Sequence, residues 1–352
     1  MVEIDGQSVI NFSSNDYLGL ARHPALIARA NHYLDSYGAG TTASRLVCGS
    51  YPIFSHLESR LASAKGTEAA LIMNSGFQAN ATLIPALVNR DSLVLADRLC
   101  HNSIVQGILL SRAQLHRFRH NDLDHLRQLL QQHGQNQRRT LIITETVFSM
   151  DGDQCPLEQL TAIAKEHQAM LMVDEAHATG VLGAKGMGLA CGQEVDLIMG
   201  TFGKGLGSYG AYVACSAEMR EYLINFCSGF IYSTALPPPV LGAIDAALDL
   251  VPTMDTERAH LHTLAAYLRD QLQGMGLSTG ESTTQIVPII LGGDRETMAM
   301  AQWLREHGLL AMAIRPPTVE QGRARLRIAL SCQHTKAHID QLLYAIKTTP
   351  TP

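Results

Sequence analysis

Several things are scarce in this chain, and each scarcity narrows the reading. Aromatic residues make up 5% of it and charged residues 17%. Lysines and arginines nowhere form a block interleaved with aromatics, and 27 basic residues against 32 acidic ones leave a net charge of −5. A nucleic-acid partner is therefore not indicated, although single arginines in a cleft could still hold small anions. No apolar run approaches the ~18 residues that a membrane helix needs. The start, "MVEIDGQSVINF", lacks a basic stretch followed by an apolar one, so no secretory signal is expected. Seven cysteines are scattered and never form C-x-x-C, which suits reduced thiols in a cytoplasm better than disulfides or zinc. The pairs His116/His120 and His260/His262 have no carboxylate or cysteine cluster beside them, so they are read as surface residues and no metal is expected. Repeats, low-complexity segments and flexible linkers are absent too.

What is present is an alternation. "SLVLAD" (92–97), "TLIITET" (140–146), "AMLMVDEA" (169–176) and "VDLIMGTF" (195–202) have the composition of buried strands. "DLDHLRQLLQQH" (122–133) and "PLEQLTAIAKEHQ" (156–168) read as intervening helices, the second opened by Pro156, where a missing N–H costs least. Such alternation predicts an α/β fold with a parallel sheet and ligands outside the carboxyl ends of its strands. Near residue 250 the pattern changes to long helical stretches around "QIVPIILG" (285–292) and "RLRIAL" (325–330), with a last helix from about Lys336. The expected organisation is an irregular N-terminal arm (1–50), an α/β domain (51–250) and a smaller α+β domain (251–352). With 352 residues, the chain is long enough for two cores.

One stretch, "MGTFGKGLGSYGA" (199–211), sets a lone lysine among glycines. A phosphate-gripping P-loop requires G-x-x-x-x-G-K-[ST], but here Lys204 is followed by Gly205 and Ile198 occupies the first glycine's place. The "DEAH" at 174–177 has no helicase meaning without that loop. Gly205-x-Gly207-x-x-Gly210 does fit a dinucleotide fingerprint, yet a helix should follow it, and "GAYVAC" (210–215) reads as a strand. The third reading makes Lys204 the amine that holds pyridoxal phosphate (PLP). That chemistry also needs an acid at the pyridine nitrogen and a cradle for the phosphate. Asp174 ends an apolar strand and could be the acid. Gly76 in "NSGFQANATLIPAL" (74–87) stands at a turn into a helix, whose free N–H groups favour a phosphate. Thr201 could add a hydroxyl, and His177 could reach the cofactor's phenolic oxygen. Taken singly, a strand-end aspartate is a common helix cap and a glycine-rich lysine loop a common turn. Their joint occurrence, in the order one α/β domain needs, favours the third reading.

At this point the chain resembles a family. "FSSNDYLGL" (12–20), "SGFQAN" (75–80), "VFSMDGD" (147–153), "VDEAHATG" (173–180), "TFGKGLG" (201–207) and "IYSTALPP" (231–238) are similar to segments of the α-oxoamine synthases. These are PLP enzymes of the aspartate-aminotransferase fold (PLP-dependent transferase fold type I) that condense an amino acid with an acyl thioester. The resemblance runs from about Asn11 to the C-terminal helix. "RPPTVEQGRARLR" (315–327) is most similar to the member that serves biotin synthesis, joining L-alanine to pimeloyl-CoA or pimeloyl-acyl carrier protein. The resemblance implies that Lys204 holds PLP and then takes the Cα proton, with Asp174 at the pyridine nitrogen and His177 and Ser149 near the phenolic oxygen. It implies Gly76 and Phe77 backbone groups and the Thr201 hydroxyl at the phosphate, with His101 stacked on the ring and touching substrate. Arg327 would grip the amino acid's carboxylate, with Arg325 the alternative, and Asn15 and Thr318 would contact substrate. Thr234 would reach the phosphate from a neighbouring subunit, which implies a homodimer with shared sites.

The match departs from the family in two places. Members carry a further N-terminal segment with an arginine near the substrate, whereas this chain begins just before "NFSSNDYLG", and neither Arg22 nor Arg29 takes that place. The expectation is then that the acyl chain's distal carboxylate is held otherwise, that the donor differs, or that the start lies upstream. Tyr209 is bulkier than expected beside a cofactor.

Overall fold

The four apolar runs form the middle of a seven-stranded sheet. In the computed structural model, which describes residues 1–4, 6–134 and 139–349, the sheet order is Ala69–Met73, Ala211–Cys215, Leu197–Thr201, Met170–Asp174, Arg139–Glu145, Ser92–Asp97, Gln114–Phe118. Ala211–Cys215 runs antiparallel to both its neighbours, and the other pairings are parallel. Four of these strands are buried along their whole length or nearly so, which is why they read as continuous apolar runs rather than alternating ones. The helices begin where the sequence supplies caps. Ser75 accepts the Gln78 N–H at 3.2 Å to start Gly76–Leu87, and Asp122 accepts that of His125 at 2.8 Å to start Leu123–His133. Pro156 stands at the N-cap of Leu157–Glu166.

By internal packing the chain divides into two compact units, 20–147 with 155–254, and 1–19 with 148–154 and 255–352. The first 50 residues, expected as an irregular arm, are more ordered than that. Gln7–Asn11 is a strand paired with Leu309–Leu310 inside the smaller unit. Pro24–Tyr37 is a helix packed on Pro238–Leu250 in the larger one. Asp245 ties that helix pair, accepting from Arg29, Arg60 and the Tyr33 hydroxyl. Arg29 is thus committed to a structural pair. In the smaller unit Ile286–Gly292, Ala324–Ala329 and Met312–Ile314 form an antiparallel sheet. Among the described residues no helix is long and apolar enough to cross a membrane.

Candidate active site

The larger unit collects its candidate residues along one edge. Gly76 follows Ala69–Met73, His101 follows Ser92–Asp97, Asp174 and His177 end Met170–Asp174, and Thr201 and Lys204 end Leu197–Thr201. The strands concerned point the same way, so these positions stand at the carboxyl ends of the sheet, where α/β folds place ligands.

The glycines around Lys204 have a steric cause. A Cβ on Gly205 would lie 2.6 Å from the Thr179 carbonyl oxygen. Gly207 has φ +64, and a Cβ there would lie 2.6 Å from the backbone of Leu20 and Ala21. Only bare backbone fits so close a turn, and the turn carries Lys204 Nζ to 2.7 Å from His177 Nε2. After Gly210 comes the strand Ala211–Cys215 and no helix, so the dinucleotide reading fails. Tyr209 is exposed.

Asp174 and Glu175 are consecutive and both buried, yet their surroundings differ. Glu175 receives the fully buried Lys65 ammonium at 2.8 Å, and that ammonium also donates to Thr179 Oγ1 and the Met187 carbonyl. Burial acts to lower the Lys65 pKa, but Glu175 and Tyr212 outweigh it and hold it above the ordinary range. Asp174, 5% exposed, accepts Asn80 Nδ2 at 2.9 Å and the Ala176 N–H at 2.9 Å, and it has no ion pair among the described residues. A buried carboxylate with no cation of its own has room for one from a ligand.

The helix beginning at Gly76 leaves its first N–H groups, those of Gly76 and Phe77, without a partner among the described residues, as a helix start does. Thr201 stands near it, its hydroxyl donating to the Gly210 carbonyl at 2.8 Å and accepting the Gly203 N–H at 3.1 Å. Thr234 is exposed and its carbonyl accepts Asn74 Nδ2 at 2.6 Å. His101 caps the helix Asn102–Ser111. Burial chiefly, with Lys204 adding and Asp174 opposing, lowers its pKa below the ordinary histidine value.

The smaller unit holds the other candidates. Arg325 and Arg327 lie two apart on one strand, and both are buried. Arg325 pairs with Asp151 at 2.5 Å. Arg327, 7% exposed, has no ion pair among the described residues; it donates to the Ser149 carbonyl at 2.5 Å and Asn15 Oδ1 at 3.0 Å and also bonds the Tyr17 hydroxyl, which donates to that same Asn15 oxygen at 3.0 Å. A planar guanidinium without a counter-ion suits a carboxylate, and of the two arginines it is Arg325 that has an ion pair. Ser149 and Asn15 thus meet Arg327, while Thr318 is exposed in a turn, its N–H donating to the Arg315 carbonyl at 3.0 Å. Of the histidine pairs, His120 is half-buried against Asp97 rather than on the surface, and His116 stacks on His133.

Three residues escaped the sequence reading. Asn80 holds Asp174, Ser103 holds Asn80 and His101, and Glu145 accepts the His101 N–H. Asn80 sits in the quoted "SGFQAN" and Glu145 in "TLIITET", but nothing in either segment says that these side chains turn toward one strand end.

A carboxylate lacking a cation, an amine and a helix start with free N–H groups fit a ligand with a protonated ring nitrogen, an aldehyde and a phosphate, which is the chemistry of PLP. The chain belongs to the aminotransferase class I and II family, whose model matches residues 7–346. Within it, an 8-amino-7-oxononanoate synthase of Gluconacetobacter diazotrophicus is 50% identical over 355 residues, covering 99% of this chain and 89% of that one. The enzyme of the same name from Geobacter sulfurreducens is 48% identical over 351 residues, 98% of this chain and 90% of the relative. Among solved structures, SPT with PLP superposes with a TM-score of 0.93 at 30% identity, over 98% of this chain and 88% of that one. The 8-amino-7-oxononanoate synthase of Francisella tularensis superposes with a TM-score of 0.84 at 29% identity, over 96% and 97%. The fold is the mostly parallel, helix-flanked sheet of the PLP-dependent transferases.

Proposed function

We propose that this chain is a PLP-dependent acyltransferase, an 8-amino-7-oxononanoate synthase of biotin synthesis. It condenses L-alanine with a pimeloyl thioester, carried on CoA or acyl carrier protein, and releases carbon dioxide and the free thiol. The observation that carries the chemistry is Asp174, buried without a cation at the strand end beside the one where Lys204 emerges. The substrate assignment is supported by relatives of that name at 48 and 50% identity along nearly the whole chain.

When bound, PLP supplies an electron sink for negative charge left at the amino acid's Cα. The Lys204 amine would hold the cofactor's aldehyde carbon, and as a free amine it would take the Cα proton. Its contact with His177 at 2.7 Å holds it at the mouth of the strand. Asp174 keeps the ring nitrogen protonated, so the sink stays charged. Gly76 and Phe77 N–H groups and the Thr201 hydroxyl hold the phosphate, and Ser149 and His177 serve the phenolic oxygen. Arg327 binds alanine's carboxylate, and Asn15 and Thr318 contact substrate. That carboxylate later departs as carbon dioxide, so Arg327 must hold it without neutralising it by proton transfer, which a guanidinium does.

The active form is a cytoplasmic homodimer in which Thr234 reaches the phosphate of the other copy's site. Exposed Val47 and Tyr232, close in sequence to the bridged pair Ser44 and Thr234, support a covered surface there. Purified protein given L-alanine and pimeloyl-CoA, or the carrier-protein thioester, is expected to form 8-amino-7-oxononanoate with one carbon dioxide and one thiol per turnover. Turnover with glycine in place of alanine would point to a sister synthase, and no product with either thioester would overturn the assignment.

A further inference from the structure

Asp174 and His101 are joined by an unbroken line of hydrogen bonds inside the larger unit. Asn80 Nδ2 donates to Asp174 Oδ2 at 2.9 Å and lies 3.0 Å from Ser103 Oγ, and Ser103 Oγ lies 2.7 Å from His101 Nδ1. The Ser103 N–H points at the same ring nitrogen at 3.2 Å. Asn80 and Ser103 are 1% and 0% exposed, so water cannot stand in for either.

The direction of each bond follows from what each group can do. A carboxylate only accepts, so Asn80 must turn its NH2 toward Asp174. The second hydrogen of that NH2 goes to Ser103 Oγ, and the hydroxyl's own proton is left for His101 Nδ1. With a backbone N–H aimed there as well, Nδ1 faces two donors and has no room for a proton of its own. Asn80 Oδ1 is buried and has no hydrogen-bond partner among the described residues, so the amide's orientation answers to Asp174 and not to the carbonyl's own needs. Glu145 is opposite Asp174 in register and accepts the His101 N–H. Burial, and then the charge of Asp174, push the Glu145 carboxyl well above its ordinary range.

We propose that Asn80 and Ser103 are positioning residues that fix His101 in its Nε2–H form, so that the ring meets the substrate as a hydrogen-bond donor. The acid that serves the cofactor's nitrogen thereby also sets the tautomer of a histidine two strands away. The tautomer itself does not depend on which reaction is catalysed, whereas its use by His101 rests on the function proposed above.

Long-range proton–nitrogen spectra of the 15N-histidine-labelled protein, free of PLP and loaded with it, test the idea. His101→Gln assigns the signal. His101 is expected to show a protonated Nε2 and a bare Nδ1 in both states. In Ser103→Ala an Nδ1–H population should appear, and kcat should fall about tenfold with KM for alanine little changed, a modest share of the ~10²–10⁴ that a positioned proton-handling group contributes. Ser103→Thr, which keeps the hydroxyl, should restore both. A protonated Nδ1 in the unaltered protein would overturn the proposal even if Ser103→Ala failed to fold, as would wild-type spectra and turnover in Ser103→Ala. A protein that shows the expected tautomer but makes no product would fault the reaction and leave the tautomer standing.

Discussion

The end of the strand Met170–Asp174 and the strand Ala324–Ala329 lie in different units, yet they repeat one contrast. In the first, Glu175 is neutralised by the buried Lys65 while its neighbour Asp174 has no cation. In the second, Arg325 is neutralised by Asp151 while Arg327, two residues on, has no ion pair among the described residues. Each region thus spends one charge on the fold and holds one back. Taking a charge out of water without a partner is costly, so the uncompensated member of each pair is where a ligand of opposite charge belongs.

That contrast can be broken most sharply at the carboxylates. Glu175→Gln leaves Lys65 buried without an anion and is expected to reduce unfolding stability by about 3–5 kcal/mol in urea titrations. Asp174→Asn removes a charge with no ion pair among the described residues, so stability should hardly change while turnover falls about 10²–10³-fold. Equal stability losses in the two variants would erase the distinction.

A third buried titratable group sharpens it from the neutral side. His334 stacks on Phe12, accepts the Ser331 N–H and contacts the Asn11 carbonyl. Burial, outweighing the Asn11 carbonyl, holds its pKa down at about 4 against 6.5. Between those values the unfolded chain takes a proton that the folded chain refuses. The contribution is therefore complete above pH 6.5 and lost as pH falls through 6.5 toward 4, about 3 kcal/mol in all. Urea unfolding at pH 7 and pH 4.5 should show His334→Gln less acid-sensitive by roughly that amount, and identical pH dependence would refute it.

The arginines give the smallest expected effect. Arg327→Gln should raise KM for alanine about 100-fold, the loss of charge-assisted bonds to a carboxylate. Arg325→Gln should leave KM nearly unchanged and cost about 1–3 kcal/mol of stability by stranding Asp151. Steady-state kinetics beside urea titrations separate the two, and a KM effect from Arg325 alone would reverse their roles.

What could be read from the sequence was what depends on local pattern. The four central strands were visible because parallel strands covered on both faces are apolar nearly throughout, and "GAYVAC" betrayed a strand because it is small and β-branched. That Lys204, Asp174 and Gly76 stand at strand and helix ends was legible, because the apolar runs stop there. The relation of Gln7–Asn11 to Leu309–Leu310 was not legible, since it joins segments some 300 residues apart. Nor was the difference between Arg325 and Arg327, which turns on where Asp151 and Ser149 fall in space. Asn80 and Ser103 look in sequence like ordinary polar helix residues, and only burial shows that they have Asp174 and His101 as partners.

Borohydride reduction of the PLP-loaded protein, followed by peptide mass mapping, tests the central claim most directly. The account predicts a pyridoxyl-phosphate mass on the tryptic peptide that spans Lys204 and missed cleavage at that lysine. A label on another lysine, or a protein that takes up no PLP at all, would contradict it.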